Sequence, residues 1–242
     1  MNPITAALSL LPWADWAALA LFFASWASYA QWAGRRSQVR PSVLALTNRE
    51  RMRWMLQASE RENRVLDGVV VQNLSTSPSF FASTTILIIG GLLAVLLGTE
   101  RASELVREIP FAARTSLIVF DMKVVLLCAI FVYAFFRFTW SLRQYTFGAL
   151  MVAAAPDFKA WHTEAQRHGF ARRAGRVMGL AAESFNDGLR AYYMAFAAIA
   201  WFFSPWAFMA GTVSVVFILY RREFHSDVLA VLADDPEVMP PV

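Results

Sequence analysis

Two opposite charges, Asp121 and Lys123, lie inside the apolar stretch SLIVFDMKVVLLCAIFVYAFFRFTW, residues 116–140. An ionisable group inside a membrane helix is costly, so it is either paired or part of a path for ions or solutes. Positions two apart point in nearly opposite directions on a helix, so these two side chains cannot pair on one face. Asp15, near the start of the first apolar stretch, could meet Lys123 across helices. Two interpretations stay open: a packing ion pair, or charges along a wet path.

A second polar group lies at the other end of the same stretch. Arg137 and Arg143 flank Trp140, a pattern typical of anchoring at a membrane surface, with aromatic rings at headgroup depth and arginines at phosphates. The sharper alternative is a pocket for an anion or headgroup, completed by Asn73. The candidate substrate or ion path therefore comprises Asp15, Asp121, Lys123, Asn73, Arg137 and Arg143.

Patterns typical of catalytic and metal sites are missing from the sequence. His162 and His168 are six residues apart, which does not put them on one helical face, and Cys128 is the single cysteine. Neither HExxH, GxSxG, a P-loop nor paired cysteines occur. We therefore expect no enzyme activity, no bound metal and no cofactor.

Composition predicts a membrane protein. The chain of 242 residues is 57% hydrophobic and 17% charged, whereas a soluble domain carries about 25% charged residues. The predicted fold class is all-α, a polytopic helical integral membrane protein. The formal net charge of +4 is explained by basic residues beside apolar spans, which set orientation and attract anionic lipid. We expect no nucleic-acid binding.

Five transmembrane helices are predicted, because a span needs about 20 apolar residues. The last apolar stretch, 189–220, would be about 48 Å long as one helix, and Ser204-Pro205 interrupts it in the middle. A helix disfavours the residue before proline, so two spans joined by a tight turn fit better than one. The predicted spans are residues 11–32, 80–97, 116–138, 189–204 and 205–220.

Arginines predict the orientation, because cytoplasmic loops carry the excess of Lys and Arg. The segments 33–79 and 139–188 are arginine-rich, and a fifth span brings Arg221 and Arg222 to the same side. The N-terminus is therefore predicted outside, with an uncleaved first span, in the bacterial inner membrane. Amphipathic cytoplasmic helices are predicted at 47–74, starting at the capping box of Thr47 and Glu50, and at 165–188. We expect one membrane domain, 1–229, and a disordered tail, 230–242.

Small residues recur every four positions in three of the predicted spans. This spacing lets helix backbones approach closely in lipid. It could serve packing within one subunit or a seam between subunits, and we expect a homo-oligomer. The residues are Ala20, Ala24 and Ser28; Gly90, Ala94 and Gly98; and Ala207 and Gly211.

Three long blocks carry a family resemblance: ENRVLDGVVVQNLSTSPSFFASTTILIIGGLLA, FFRFTWSLRQYTFGALMVAAAP and FNDGLRAYYMAFAAIAWFFSPWAFMAGTVSVVFILYRREF. Together they resemble a membrane-protein family of bacteria and plants known as domain of unknown function number five-nine-nine. The resemblance runs from about residue 15 to about residue 229. It implies a multispanning membrane protein and supplies no activity, substrate or catalytic residue.

Two functions of different classes follow from these features. The first is an oligomeric channel or transporter for a small ion or solute. The alternative is a non-catalytic membrane scaffold or accessory subunit that binds protein partners or anionic lipid at its basic cytoplasmic face. The partner of Lys123 discriminates between them. Dry packing against Asp15 or Asp121 of a neighbouring helix favours the scaffold, and a wet cavity favours transport.

Overall fold

The protein is all-α throughout the residues that the computed structural model describes, which are 11–36, 42–108 and 116–234. For these residues the predicted all-α class is confirmed. The helices are α1 (Trp13–Arg36), α2 (Val43–Glu60), α3 (Val65–Leu97), α4 (Thr99–Glu108), α5 (Leu117–Ala153), α6 (Glu164–Ile199), a short 3-10 helix (Ala200–Phe202), α7 (Pro205–Phe224) and α8 (Asp227–Ala233).

Two helices, α3 and α5, are long and apolar enough to cross a membrane by length and composition. They contain the predicted spans 80–97 and 116–138. The most apolar part of α3 is largely exposed, whereas nearly half of the corresponding part of α5 is buried. Thus α5 is packed more extensively than α3, and α3 offers apolar surface to its surroundings.

The long helices differ from the prediction of separate cytoplasmic and spanning segments. At about 1.5 Å per residue, α3, α5 and α6 are each roughly 50 Å long or more, well beyond the ~30 Å hydrocarbon core. Helix α3 begins well before residue 80 and continues through Pro78. The hydroxyls of Ser75 and Thr76 donate to the carbonyl of Gln72 within the same helix.

The capping-box prediction for the start of α2 was wrong. The helix begins at Val43, and the Ser42 hydroxyl accepts from the backbone N–H of Ala45 at 3.1 Å. Thr47 lies within the helix, where its hydroxyl donates to the Val43 carbonyl at 2.9 Å. A threonine hydroxyl inside a helix satisfies itself on the preceding turn, so it resembles a cap only in sequence.

At the C-terminus, α8 occupies residues 227–233, so helix extends into the predicted disordered tail, 230–242. Ser226 is its N-cap and accepts from the Leu229 backbone N–H. Residues 235–242 lie outside the described residues.

The chain divides into two compact units. Unit 1 comprises Met1–Gly34, Thr84–Ala134 and Leu189–Tyr220, and unit 2 comprises Arg35–Ser83, Phe135–Gly188 and Arg221–Val242. Charge separates with them. Unit 1 has equal numbers of basic and acidic residues, so the whole net charge of +4 belongs to unit 2. The charged residues of unit 1 are Arg101, Arg107, Arg114, Lys123 and Arg190, and Asp15, Glu100, Glu104, Glu108 and Asp121.

In unit 1, α1 and α7 run parallel, as three aromatic contacts along their lengths show. Ring centroids are 6.2 Å apart at Trp13–Trp206 near the two N-termini. They are 5.0 Å apart at Phe22–Phe208 and 5.7 Å apart at Trp32–Tyr220. The 3-10 helix and the turn into α7 therefore lie at the same end of unit 1 as the start of α1.

Unit 2 packs α2, α3, α5 and α6 around an apolar core. The core residues are Met55, Val71, Tyr145, Val152, Phe170, Ala171, Ala174, Met178 and Ala181. Helix α6 approaches α2 closely at Gly175, where a Cβ atom would lie only 2.8 Å from the Cα of Met52. Gly179, one turn later, faces the side chain of Asn48 in the same way.

Candidate functional site

Trp201 is the centre of a charged cluster in unit 1. Pro205 lies four residues later and has no backbone N–H, so the carbonyl of Trp201 has no i+4 helical donor. Lys123 takes this place, and its Nζ donates to the Trp201 carbonyl at 2.9 Å. On its other side, the indole Nε1 of Trp201 donates to Oδ1 of Asp15 at 2.6 Å. Helices α1 and α5 are thereby tied to the break between α6 and α7.

The cluster is dry. Lys123 is 2% exposed, Asp15 6% and Trp201 1%. The ammonium of Lys123 also lies 5.5 Å from the Trp201 ring centroid and 5.7 Å from that of Phe202, within cation–π range. It sits at the C-terminal end of α6, where the helix dipole favours a cation. One positive and one negative side chain thus meet on a single buried tryptophan.

Asp121 belongs to a different environment from Lys123, as the spacing of two residues predicts. Its Oδ1 accepts from the Thr99 hydroxyl at 2.8 Å, which links α5 to the start of α4. Asp121 is half-buried and lines a cavity of about 470 Å³, whose other lining residues include Leu19, Met122 and Trp201. The lining is almost wholly apolar, and Lys123 is not part of it.

Arg137, Arg143 and Asn73 have different surroundings. Arg137 forms an ion pair with Asp187 within unit 2. Arg143 is exposed and lies 5.7 Å from the ring of Phe147. Asn73 is exposed on α3. An exposed arginine above an aromatic ring fits surface anchoring as well as ligand binding.

Most of the chain, including nearly all of this cluster, matches a known protein family. The family described as "Protein of unknown function, DUF599" matches residues 17–228, which is most of the chain. The chain belongs to this family. No curated protein matches it, and no solved structure matches it. Within the DUF599 match lie Asp121, Lys123 and Trp201, whereas Asp15 lies just before it.

The small residues of this DUF599 chain fall into two groups. Gly211 lies where α7 approaches α6, because a Cβ atom there would be 3.4 Å from the Cα of Ala197, and Ala207 is half-buried. The other six are exposed. A Cβ atom at Gly90 would meet nothing within 4 Å, and one at Gly98 would meet only its own helix. The exposed six are Ala20, Ala24, Ser28, Gly90, Ala94 and Gly98.

Sequence reasoning missed Trp201 as the residue that joins Asp15 to Lys123. The sequence contains a signal for this role. Pro205 cannot bond the carbonyl of Trp201, and a buried indole N–H also needs an acceptor. It also missed Thr99 and Asp187 as the partners of Asp121 and Arg137. Those partners depend on which helices are neighbours, and the local sequence does not encode that.

Unit 2 of this DUF599 chain contains a polar seam between α2 and α6. Arg51 donates to Oδ1 of Asn48 at 2.9 Å, and Asn48 donates to Glu183 at 3.2 Å. Arg176 pairs with the same carboxylate at 2.7 Å. Burial lowers the pKa of Arg51, and the neighbouring Tyr145 and Glu183 offset part of this effect. The seam serves helix packing, since its donors and acceptors bond one another.

Among the residues described, no three His, Cys, Asp or Glu side chains come together to hold a metal ion. His162 and His168 do not form part of such a group.

Proposed function

We propose that this chain is a multi-pass protein of the bacterial inner membrane that acts as a non-catalytic scaffold or accessory subunit. In this proposal, the chain crosses the bilayer five times with the N-terminus outside. The arginine-rich segments 33–79 and 139–188 lie on the cytoplasmic side, where they hold protein partners and contact anionic lipid. The membrane part is a closed anchor and not a transport path.

The parallel packing of α1 and α7 supports five crossings. If α1 crosses the bilayer, a helix parallel to it crosses in the same direction, which requires an odd-numbered span. The exposed Trp13 and Trp206 at one end and Trp32 at the other also resemble two interfacial aromatic belts. From Trp13 to Trp32 is about 28 Å of helix, close to the ~30 Å hydrocarbon core.

The burial of Lys123 against the carbonyl of Trp201 is the observation that carries the scaffold proposal. A conducting path requires charges that water and ions can reach. Here the lysine fills the bonding position left by Pro205, and Asp15 bonds the same tryptophan. Both charged side chains therefore bond the packed helices to one another. Neither of them lines the described cavity near Asp121.

A flux assay tests this proposal. The purified protein is reconstituted in liposomes under separate anion, cation and proton gradients, beside the variant Lys123→Met. We expect flux equal to that of empty liposomes for both proteins, with Lys123→Met unfolding at a lower temperature. Flux in the wild type that is lost or changes selectivity in Lys123→Met would overturn the scaffold in favour of a channel or transporter.

We also propose a homo-oligomer, supported by the exposed small residues of α3. In lipid, the hydrophobic effect does not drive helices together, because lipid tails are as apolar as the helices. Faces of small residues pair instead by close contact between helix backbones. Mass photometry in nanodiscs should detect more than one copy per particle. A single copy at all concentrations would exclude a stable homo-oligomer.

A further inference from the structure

Unit 2 contains a cleft of about 680 Å³ between the end of α5, the connection 154–163 and the start of α6. This volume lies within the range of about 300–1,000 Å³ typical of small-ligand sites. Several alanines and Gly169 line it, together with the polar side chain of Gln166. Trp161 and Phe170 contribute aromatic rings, with centroids 5.4 Å apart.

The walls of the cleft are held in place by hydrogen bonds from outside it. The indole of Trp161 donates to the carbonyl of Ser59 at 3.0 Å, which fixes the ring. Arg64 donates to the carbonyls of Ala155 and Pro156, which fixes the connection after α5. A preformed site does not have to order its own walls when a ligand binds, so less of the binding free energy is lost.

The lining of the cleft contains an arginine and no carboxylate. Arg173 and His162 line it, and none of its lining residues is acidic. Within the part of the chain that the structure describes, Arg173 makes no hydrogen bond or ion pair. Arg167, on the same helix, instead pairs with Glu60 at 3.2 Å. The guanidinium of Arg173 is therefore available to a carboxylate or phosphate, which it matches in geometry.

We propose that this cleft binds a small organic anion with a flat, apolar body. The body would lie against Trp161, Phe170 and the alanine surface, and Arg173 would hold the anionic group. This combination of an apolar lining with a few polar groups is what positions small ligands in proteins. The inference does not depend on the scaffold proposal, because it concerns unit 2 alone.

Binding of 1-naphthoate to the full-length protein in phosphatidylcholine nanodiscs tests the proposal, with 1-naphthamide as the neutral isostere and empty nanodiscs as background. Isothermal titration calorimetry should give saturable binding of the naphthoate with a dissociation constant below about 1 mM. The amide should bind at least ~10-fold more weakly, because it cannot form a charge-assisted bond with Arg173.

Two variants locate the binding, and a third is the matched control. Arg173→Gln should weaken naphthoate binding by about 10-fold. Gly169→Leu adds bulk to the cleft beside the Arg173 guanidinium, whose Nη1 lies 3.7 Å from a Cβ atom at position 169, and it should abolish binding. Arg172→Gln removes the same charge from an exposed neighbour outside the cleft lining. It should change the affinity less than about two-fold, because an exposed charge at a distance is screened.

Three results would each overturn the proposal. One is the absence of saturable naphthoate binding to the wild type. Another is equal binding of the naphthoate and the amide, which would leave only an apolar surface. The last is an equal loss of affinity in Arg173→Gln and Arg172→Gln, which would reduce the effect to general surface charge. Thermal unfolding of each variant in the same nanodiscs separates loss of the site from loss of the fold.

Discussion

Pro205 determines the chemistry of Trp201 and, through it, that of Lys123. A proline cannot donate the bond that the Trp201 carbonyl would accept in a continuous helix. An unsatisfied carbonyl in a water-free interior costs roughly 1–3 kcal/mol. A buried lysine meets that need, and its charge is opposed by Asp15 through the same indole. The presence of charge in an apolar segment is thus explained by a break in a different helix.

The first prediction is that Asp15 and Lys123 are energetically coupled. Lys123→Met leaves the Trp201 carbonyl unsatisfied and Asp15 without a nearby cation, and Asp15→Asn leaves the cation unopposed. Each single variant should lower the free energy of unfolding by about 1–3 kcal/mol. The double variant should cost less than the sum of the two by at least ~0.5 kcal/mol, because it removes both charges together.

Chemical unfolding in detergent, followed by tryptophan fluorescence, measures this cycle. Lys159→Met is the control, because Lys159 lies exposed in the connection after α5. Its effect should stay within about 0.5 kcal/mol. Strict additivity of Asp15→Asn and Lys123→Met would show that the two charges act independently, contrary to this prediction.

The sequence predicted the need for partners at this site but only part of their identity. Asp121 and Lys123 were expected to point apart, and they do have different neighbours. Asp15 was a candidate because it begins the first span at the same depth. The link through Trp201 required knowing that the 3-10 helix packs beside both, and this is a tertiary contact that spacing does not reveal.

At the scale of helices, the close approach of α6 to α2 depends on Gly175. A Cβ atom there would lie 2.8 Å from the Cα of Met52 and 3.1 Å from its backbone nitrogen. Because backbone atoms are the obstacle, the helices must separate to admit a methyl group. The small residues that the sequence pattern picks out lie in or next to the apolar spans. Gly175 and Gly179 show the same spacing outside those spans.

The second prediction compares two glycines within helices. Gly175→Ala should lower the free energy of unfolding by about 1–3 kcal/mol, as overpacking does. Gly68→Ala should raise it by about 0.5–1 kcal/mol, because Gly68 lies in α3 with nothing within 4 Å of a Cβ atom and alanine is the better helix former. Thermal unfolding by circular dichroism should therefore shift in opposite directions. Shifts in the same direction would contradict the packing of α6 on α2.

Helix lengths were the least predictable feature of the elements. The sequence located apolar stretches near 80–97, 116–138 and 189–204 because composition changes there. It could not reveal that α3, α5 and α6 continue past those limits. The hydrogen bonds of a helix join backbone atoms and do not depend on whether the side chains are apolar. A change of composition along the chain therefore does not mark the end of a helix. The Ser42 cap was missed for a related reason, since several nearby residues could serve as caps.

For the whole molecule, the distribution of charge and the direction of the helices lead to the same predicted topology. Unit 1 has no net charge, and unit 2 carries all of the excess positive charge. By the positive-inside rule, an excess of basic residues is expected in the segments on the cytoplasmic side of a membrane. The parallel arrangement of α1 and α7 adds an independent requirement, because it fixes the parity of the crossings. Both features predict that Arg221 lies on the cytoplasmic side of the membrane.

The third prediction is that Arg221 and Glu50 face the cytoplasm and that Arg101 faces outward. All three are exposed. In a Cys128→Ala background, which removes the single native cysteine, each is replaced by cysteine and treated with a membrane-impermeant maleimide. Arg101→Cys should be labelled in intact cells. Arg221→Cys and Glu50→Cys should be labelled only after permeabilisation, which also verifies that each thiol is reactive.

Labelling of Arg221→Cys in intact cells, with Glu50→Cys protected, would mean an even number of crossings. It would then put α7 and α1 on opposite courses through the bilayer, which their contacts at Trp13–Trp206 and Trp32–Tyr220 do not permit.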